Sequence, residues 1–96
     1  MTWIRTIPPD AADPGLLACY QAMYALYPPV YAIEVPAVKN ADGTSDSISA
    51  SHSLIPEAMR HMMSGLAVLL TPDLPLSRRQ HEMIATLVSA LNRCFY

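Results

Sequence analysis

Two side chains near the end of this 96-residue chain, Glu82 and Cys94, are of types that move protons and electrons. A cysteine reacts as its thiolate, which attacks peroxides, disulfides and metals; to be mostly ionised at neutral pH its pKa must fall from about 8.5 toward about 3.5–7.5. A carboxylate that can hold a proton serves such a thiol as a relay. Each residue also has a plainer reading. Glu82 follows Arg78 and Arg79 and can be a surface acid paired with either along one helix. Cys94 has no resolving thiol beside it; oxidised to a sulfenic acid, it needs a thiol from elsewhere to be recycled. His81 adjoins Glu82 in sequence, yet neighbours on a helix point about 100° apart, so it need not touch Glu82's partner.

The stretch that must position these two residues is Leu76 to Tyr96, LSRRQHEMIATLVSALNRCFY. Ser77 fits an N-cap, and Gln80 three residues on completes a capping box. Met83, Ile84, Leu87, Val88 and Leu91 recur at helical spacing, which predicts an amphipathic helix over Arg78–Leu91. Asn92 is the expected stop, since Asn tolerates the left-handed conformation that ends helices. Cys94 falls just past it.

These residues resemble the AhpD-like, carboxymuconolactone decarboxylase superfamily, in particular its peroxidase-related branch. The signature there is an Arg-rich helix start, a Glu, an apolar run ending Ser-Ala-Leu-Asn, then Cys-x-x-Cys and a His one turn later. Arg78, Arg79, Glu82, Ser89, Asn92 and Cys94 stand at the corresponding positions, with Phe95 and Tyr96 as the two middle residues of Cys-x-x-Cys. The second cysteine and the histidine would lie beyond Tyr96. The likeness is strongest over Pro56 to Tyr96. It implies an all-α, AhpD-like helical bundle truncated before the second cysteine, and thiol-dependent reduction of a hydroperoxide with electrons returned by a dithiol partner. It assigns the proton relay to Glu82 and the first cysteine of the motif to Cys94; in the family the other cysteine generally attacks the peroxide.

The remaining sequence reads as a single all-α domain over residues 1–96. Met1 to Asp10 is an extended arm, kept open by Pro8-Pro9, with Trp3 and Ile4 expected to pin it to the body. Asp13-Pro14 caps a helix whose Leu16, Leu17, Tyr20, Met23, Tyr24 and Tyr27 form an apolar stripe up to Pro28-Pro29. Cys19 falls off the densest line and reads as a small packing residue. Tyr31, Ile33 and Val35 alternate as a strand would, but the prolines at 29 and 36 favour a short helical turn or extended link. Residues 40–53 read as a loop, with a turn at Asp42-Gly43 and His52 solvated. Pro56 opens the next helix, with Met59, Met62, Met63, Leu66, Leu69 and Leu70 on its apolar face and His61 on its polar side. Gly65 costs about 1 kcal/mol against Ala unless another helix comes close there. The short link after Thr71-Pro72 favours an antiparallel pair with the last helix. The three helices are therefore expected near Pro14–Tyr27, Pro56–Leu70 and Arg78–Leu91.

The composition is 52% apolar and only 15% charged. For a chain this short, that predicts apolar faces covered by something else, either another copy through the last two helices or the C-terminal half that the resembled family has; self-association is the expectation. The net charge of −2, with no basic cluster beyond Arg78–Arg79, argues against nucleic acid. No apolar run reaches the roughly 18 residues that span a bilayer, and MTWIRTIPPD has no signal-peptide core, so no membrane and a cytoplasmic location are expected. No cofactor or metal-binding spacing is found; the methionines lack an accompanying thiolate and read as a deformable packing surface. Two functions follow as expectations: an AhpD-like thiol peroxidase, incomplete in this chain, or a non-catalytic helical assembly subunit or remnant. A superfamily decarboxylase or isomerase is weaker, because Cys94 is retained.

Overall fold

The computed structural model describes residues 3–33, 35–36, 48–72 and 74–94. The expected turn at Asp42-Gly43, most of the loop over 40–53, and the motif positions Phe95 and Tyr96 lie outside the described residues. Among those described there are three α-helices, α1 (Pro14–Tyr24), α2 (Pro56–Leu69) and α3 (Arg78–Leu91), joined by 3-10 turns and irregular links, with no strand.

Helix α1 starts as its sequence dictates. Asp13 Oδ1 accepts from the Leu16 amide at 2.8 Å, and Pro14 takes the first helical position, where no amide is needed. It ends at Tyr24, three residues before Tyr27. There the Leu26 and Tyr27 amides reach back to the carbonyls of Met23 and Tyr24 in 3-10 fashion. Pro28 disfavours helical geometry at the preceding residue, so the last turn tightens before it. Leu16, Tyr20 and Met23 are buried on one side of α1, and meet Met59 and Met63 of α2. That five-residue cluster is the core, with Ile7, Ala12 and Cys19 packed against it.

Two polar contacts clip the N-terminal arm to this core. The Ile7 amide donates to Ser53 Oγ at 2.7 Å, and the Tyr20 hydroxyl donates to the Ile7 carbonyl at 2.8 Å. The pinning residue is therefore Ile7. Trp3 and Ile4, expected to hold the arm, are exposed, Trp3 completely. Ser53 is buried at the end of a 3-10 turn, Ala50–His52, so the serine-rich stretch read as loop supplies a core acceptor. His52 is half-buried, with Nδ1 2.9 Å from the Ile48 carbonyl.

Helix α2 divides its apolar residues between two strips. Met59, Met63 and Ala67, at steps of four, face α1 and are buried. Met62, Leu66 and Leu69, expected on the same face, form an outer strip that stays exposed. A stripe that wide exceeds what one partner helix covers, and among the described residues α1 is the only α-helix packed closely on α2. The expected antiparallel pairing of α2 with α3 is not formed: α3 buries no side chain, and neither α1 nor α2 packs closely against it. Met83, Ile84, Leu87, Val88 and Leu91, the regular apolar stripe of α3, are all at least half exposed.

Candidate active site

The first turns of α3 are built by its caps. Gln80 N–H donates to Ser77 Oγ, and Ser77 N–H donates to Gln80 Oε1 at 2.8 Å, the reciprocal pair of a capping box. Arg78 and Arg79 then occupy the first turn, where the positive end of the helix dipole disfavours cations. Arg78 is compensated locally. Its guanidinium carbon lies 4.9 Å from the centre of the Tyr31 ring, and its Nε lies 3.6 Å from Glu82 Oε1. The Tyr31 hydroxyl donates to that same oxygen at 2.5 Å. Tyr31, Arg78 and Glu82 thus form a closed clasp in which each touches the other two.

Tyr31 comes from the 3-10 turn Pro29–Ala32, held by Pro28 and Pro29 and by the bond from Tyr31 N–H to the Pro28 carbonyl. Burial raises the Tyr31 phenol above the ordinary tyrosine value; the hydrogen bond to the Glu82 carboxylate and its charge add to this, and Arg78 opposes it. Of the two arginines weighed as partners for Glu82, the structure selects Arg78. Tyr31 is the component that sequence reasoning missed. Its alternation with Ile33 and Val35 points to backbone geometry and carries no sign of a partner on α3.

Cys94 is placed by the other end of the helix. Arg93, with φ of 55°, is the left-handed residue; its amide donates to the Ala90 carbonyl and that of Cys94 to the Ser89 carbonyl at 2.9 Å. This is a Schellman end. The expected left-handed stop at Asn92 is corrected by one residue, since Asn92 is a right-handed C-cap. Carbonyls carry partial negative charge at this end, and Arg93 supplies a cation there. Cys94 is an exposed free thiol; Cys19 is also free, half-buried against the α1–α2 core.

Two adjoining depressions on α3 share Glu82, Thr86 and Ala90. One, about 490 Å³, is lined by Arg79, Glu82, Met83, Thr86, Leu87 and Ala90. The other, about 450 Å³, is lined by Glu82, Ala85, Thr86, Ser89, Ala90 and Cys94. Both expected site residues therefore border one shallow, solvent-open groove along a single face of α3. They sit at its opposite ends: the nine steps from Glu82 to Leu91 alone rise about 14 Å, far beyond the roughly 3 Å of a direct proton transfer. The hydroxyl-bearing residues Thr86 and Ser89 lie between them. His81 points elsewhere on α3; its Nε2 is out of solvent with no hydrogen-bond partner among the described residues. His61 is exposed beside Glu57 at 3.8 Å. Among the described residues no three His, Cys, Asp or Glu side chains gather as a metal site, and no helix is long and apolar enough to cross a membrane.

No family model, curated protein or solved structure matches the chain.

Proposed function

We propose that this chain is a peroxidase-related protein of the AhpD-like kind, in which Cys94 is one thiol of the cycle and Glu82 its proton relay. The observation that supports this reading is the shared groove: Glu82 and Cys94 line one face of α3, with Thr86 and Ser89 between them. Water bridging those hydroxyls would carry a proton along the groove, since each step of three or four residues rises about 5–6 Å. In the chemistry, a thiolate sulfur attacks the outer peroxide oxygen. An S–O bond forms, the O–O bond breaks, and the alcohol leaves with the proton that Glu82 took from the thiol. A second thiol converts the sulfenic acid to a disulfide and water, and a dithiol reductant reverses that disulfide. Cys19 is the only other cysteine of the 96 residues and packs against the core, so the second thiol is one supplied by the reductant. The test is exposure to an alkyl hydroperoxide with dimedone as sulfenic-acid trap. One adduct on Cys94, formed more slowly in Glu82→Gln, is expected; labelling indifferent to Glu82 would remove the relay.

A second reading, an assembly subunit without activity, is favoured by the bare stripe of α3. Met83, Ile84, Leu87, Val88 and Leu91 of α3 and Met62, Leu66 and Leu69 of α2 form two exposed apolar strips, the kind of surface that marks an interface. A second copy is the occupant this reading commits to, burying Leu87 and Leu91 of α3 and the Met62 strip of α2. Sedimentation should show a dimer or larger at micromolar concentration, dissociated or unfolded by Leu87→Asp or Met62→Asp through burial of an unpaired charge. A compact monomer would end this reading.

A further inference from the structure

We propose that Tyr31 is a positioning residue for Glu82, engaging Oε1 together with Arg78 so that Oε2 is the oxygen that exchanges a proton with the groove. This rests on Glu82 being the relay. The geometry carries it in three steps. First, both contacts to Glu82 converge on one atom: the Tyr31 hydroxyl at 2.5 Å and Arg78 Nε at 3.6 Å both address Oε1. Among the described residues nothing engages Oε2, so the two oxygens of one carboxylate are made unequal.

Second, the donor is mounted on a stiff element. Tyr31 belongs to a 3-10 turn opened by Pro28 and Pro29, whose rings restrict the backbone. Its ring is fixed again by the Arg78 guanidinium stacked on it. A glutamate on an otherwise exposed helix turns through several rotamers, and ordering it costs side-chain entropy. A stiff donor offsets that cost and leaves one carboxylate orientation. Third, α3 buries none of its side chains, so the clasp fixes the position of Glu82 relative to the rest of the chain where core packing does not.

Two measurements on the whole chain test this. The tyrosinate absorbance is titrated in the wild type, with Tyr31→Phe identifying which step belongs to Tyr31. Glu82→Gln should move that step down toward the ordinary 10.0, because the charge is lost and only a weaker, neutral amide oxygen is left to accept, and Arg78→Met should move it up. A Tyr31 step unmoved by Glu82→Gln would show that the clasp does not form and would overturn the proposal. The second measurement is the rate at which an alkyl hydroperoxide oxidises Cys94, trapped with dimedone. Tyr31→Phe keeps the ring and its stacking, so a role in packing alone leaves the rate unchanged. Positioning through the hydroxyl predicts slowing of about three- to tenfold, the size of one half-exposed charge-assisted hydrogen bond. Slowing in Glu82→Gln with a wild-type rate in Tyr31→Phe refutes positioning and spares the relay. Wild-type rates in both remove the relay, and the role of Tyr31 in it, even where the titration still reports the clasp.

Discussion

Tyr31 donates its hydroxyl proton to Glu82 Oε1 across 51 residues of sequence, joining a proline-bounded turn to a helix that buries none of its own side chains. Burial first, and then this bond and the Glu82 charge, make the phenol harder to ionise in the folded chain than in the unfolded one. Tyr20 and Tyr27 are raised as well, mainly by burial.

A loss of stability in alkali follows from those three phenols. Each holds its proton more tightly when folded, so its contribution is fully present below the unfolded value of about 10 and is lost as pH rises through the higher folded value. Denaturant midpoints measured from pH 8 to 11.5 should stay level at first and then fall above about pH 10. The fall should be shallower in Glu82→Gln, whose Tyr31 lies nearer the ordinary value. A midpoint that climbs through this range would contradict the burial of these rings.

Truncations on α2 should separate its two strips. Met59 is fully buried, whereas Met62, three residues on, is 57% exposed. Met59→Ala should cost about 2–5 kcal/mol, and Met62→Ala under about 0.5 kcal/mol, in the monomer. Equal losses in chemical denaturation would mean that both strips face a core.

Two backbone positions offer stabilising changes. Among the described residues a Cβ on Gly65 would meet nothing within 4 Å beyond its own helix backbone, so Gly65→Ala should raise stability by about 0.5–1 kcal/mol. Arg93 holds a left-handed conformation that glycine adopts without strain, so Arg93→Gly should strengthen the end of α3 by about 1 kcal/mol. Thermal melts followed by circular dichroism measure both. A Gly65→Ala variant that melts lower would indicate a close neighbour on that face.

The helices and their caps were legible because their causes are local. Asp13-Pro14 and Ser77–Gln80 act within one turn, and the 3.6-residue period of Met83 to Leu91 is visible in any window of that length. An apolar period shows that a face is oily without naming what covers it. Hence the periodicity of α3 was readable, and the exposure of that face among the described residues was not. The same limit explains the outer α2 strip, whose Met62 and Leu66 carry the same signal as Met59 and Met63. Ser53 and Tyr31 were missed because each takes its role from a residue more than forty positions away. Trp3 and Ile4 stay exposed, while the arm is held by the backbone of Ile7. At the site, Glu82 and Cys94 were visible as types, and their placement on one groove follows from the helix. The rise of roughly 14 Å from Glu82 to Leu91 was implicit in the helical geometry, but the clasp at Glu82 was not.

The proposed role of Cys94 as a redox thiol served by Glu82 is tested most directly by site-resolved mass spectrometry of the chain after exposure to an alkyl hydroperoxide in the presence of dimedone, comparing wild type, Glu82→Gln and Cys94→Ser. An adduct is expected on Cys94 with little on Cys19, formed several-fold more slowly in Glu82→Gln and lost in Cys94→Ser. Equal labelling of Cys19 and Cys94, or a Cys94 rate that Glu82→Gln leaves unchanged, would contradict it.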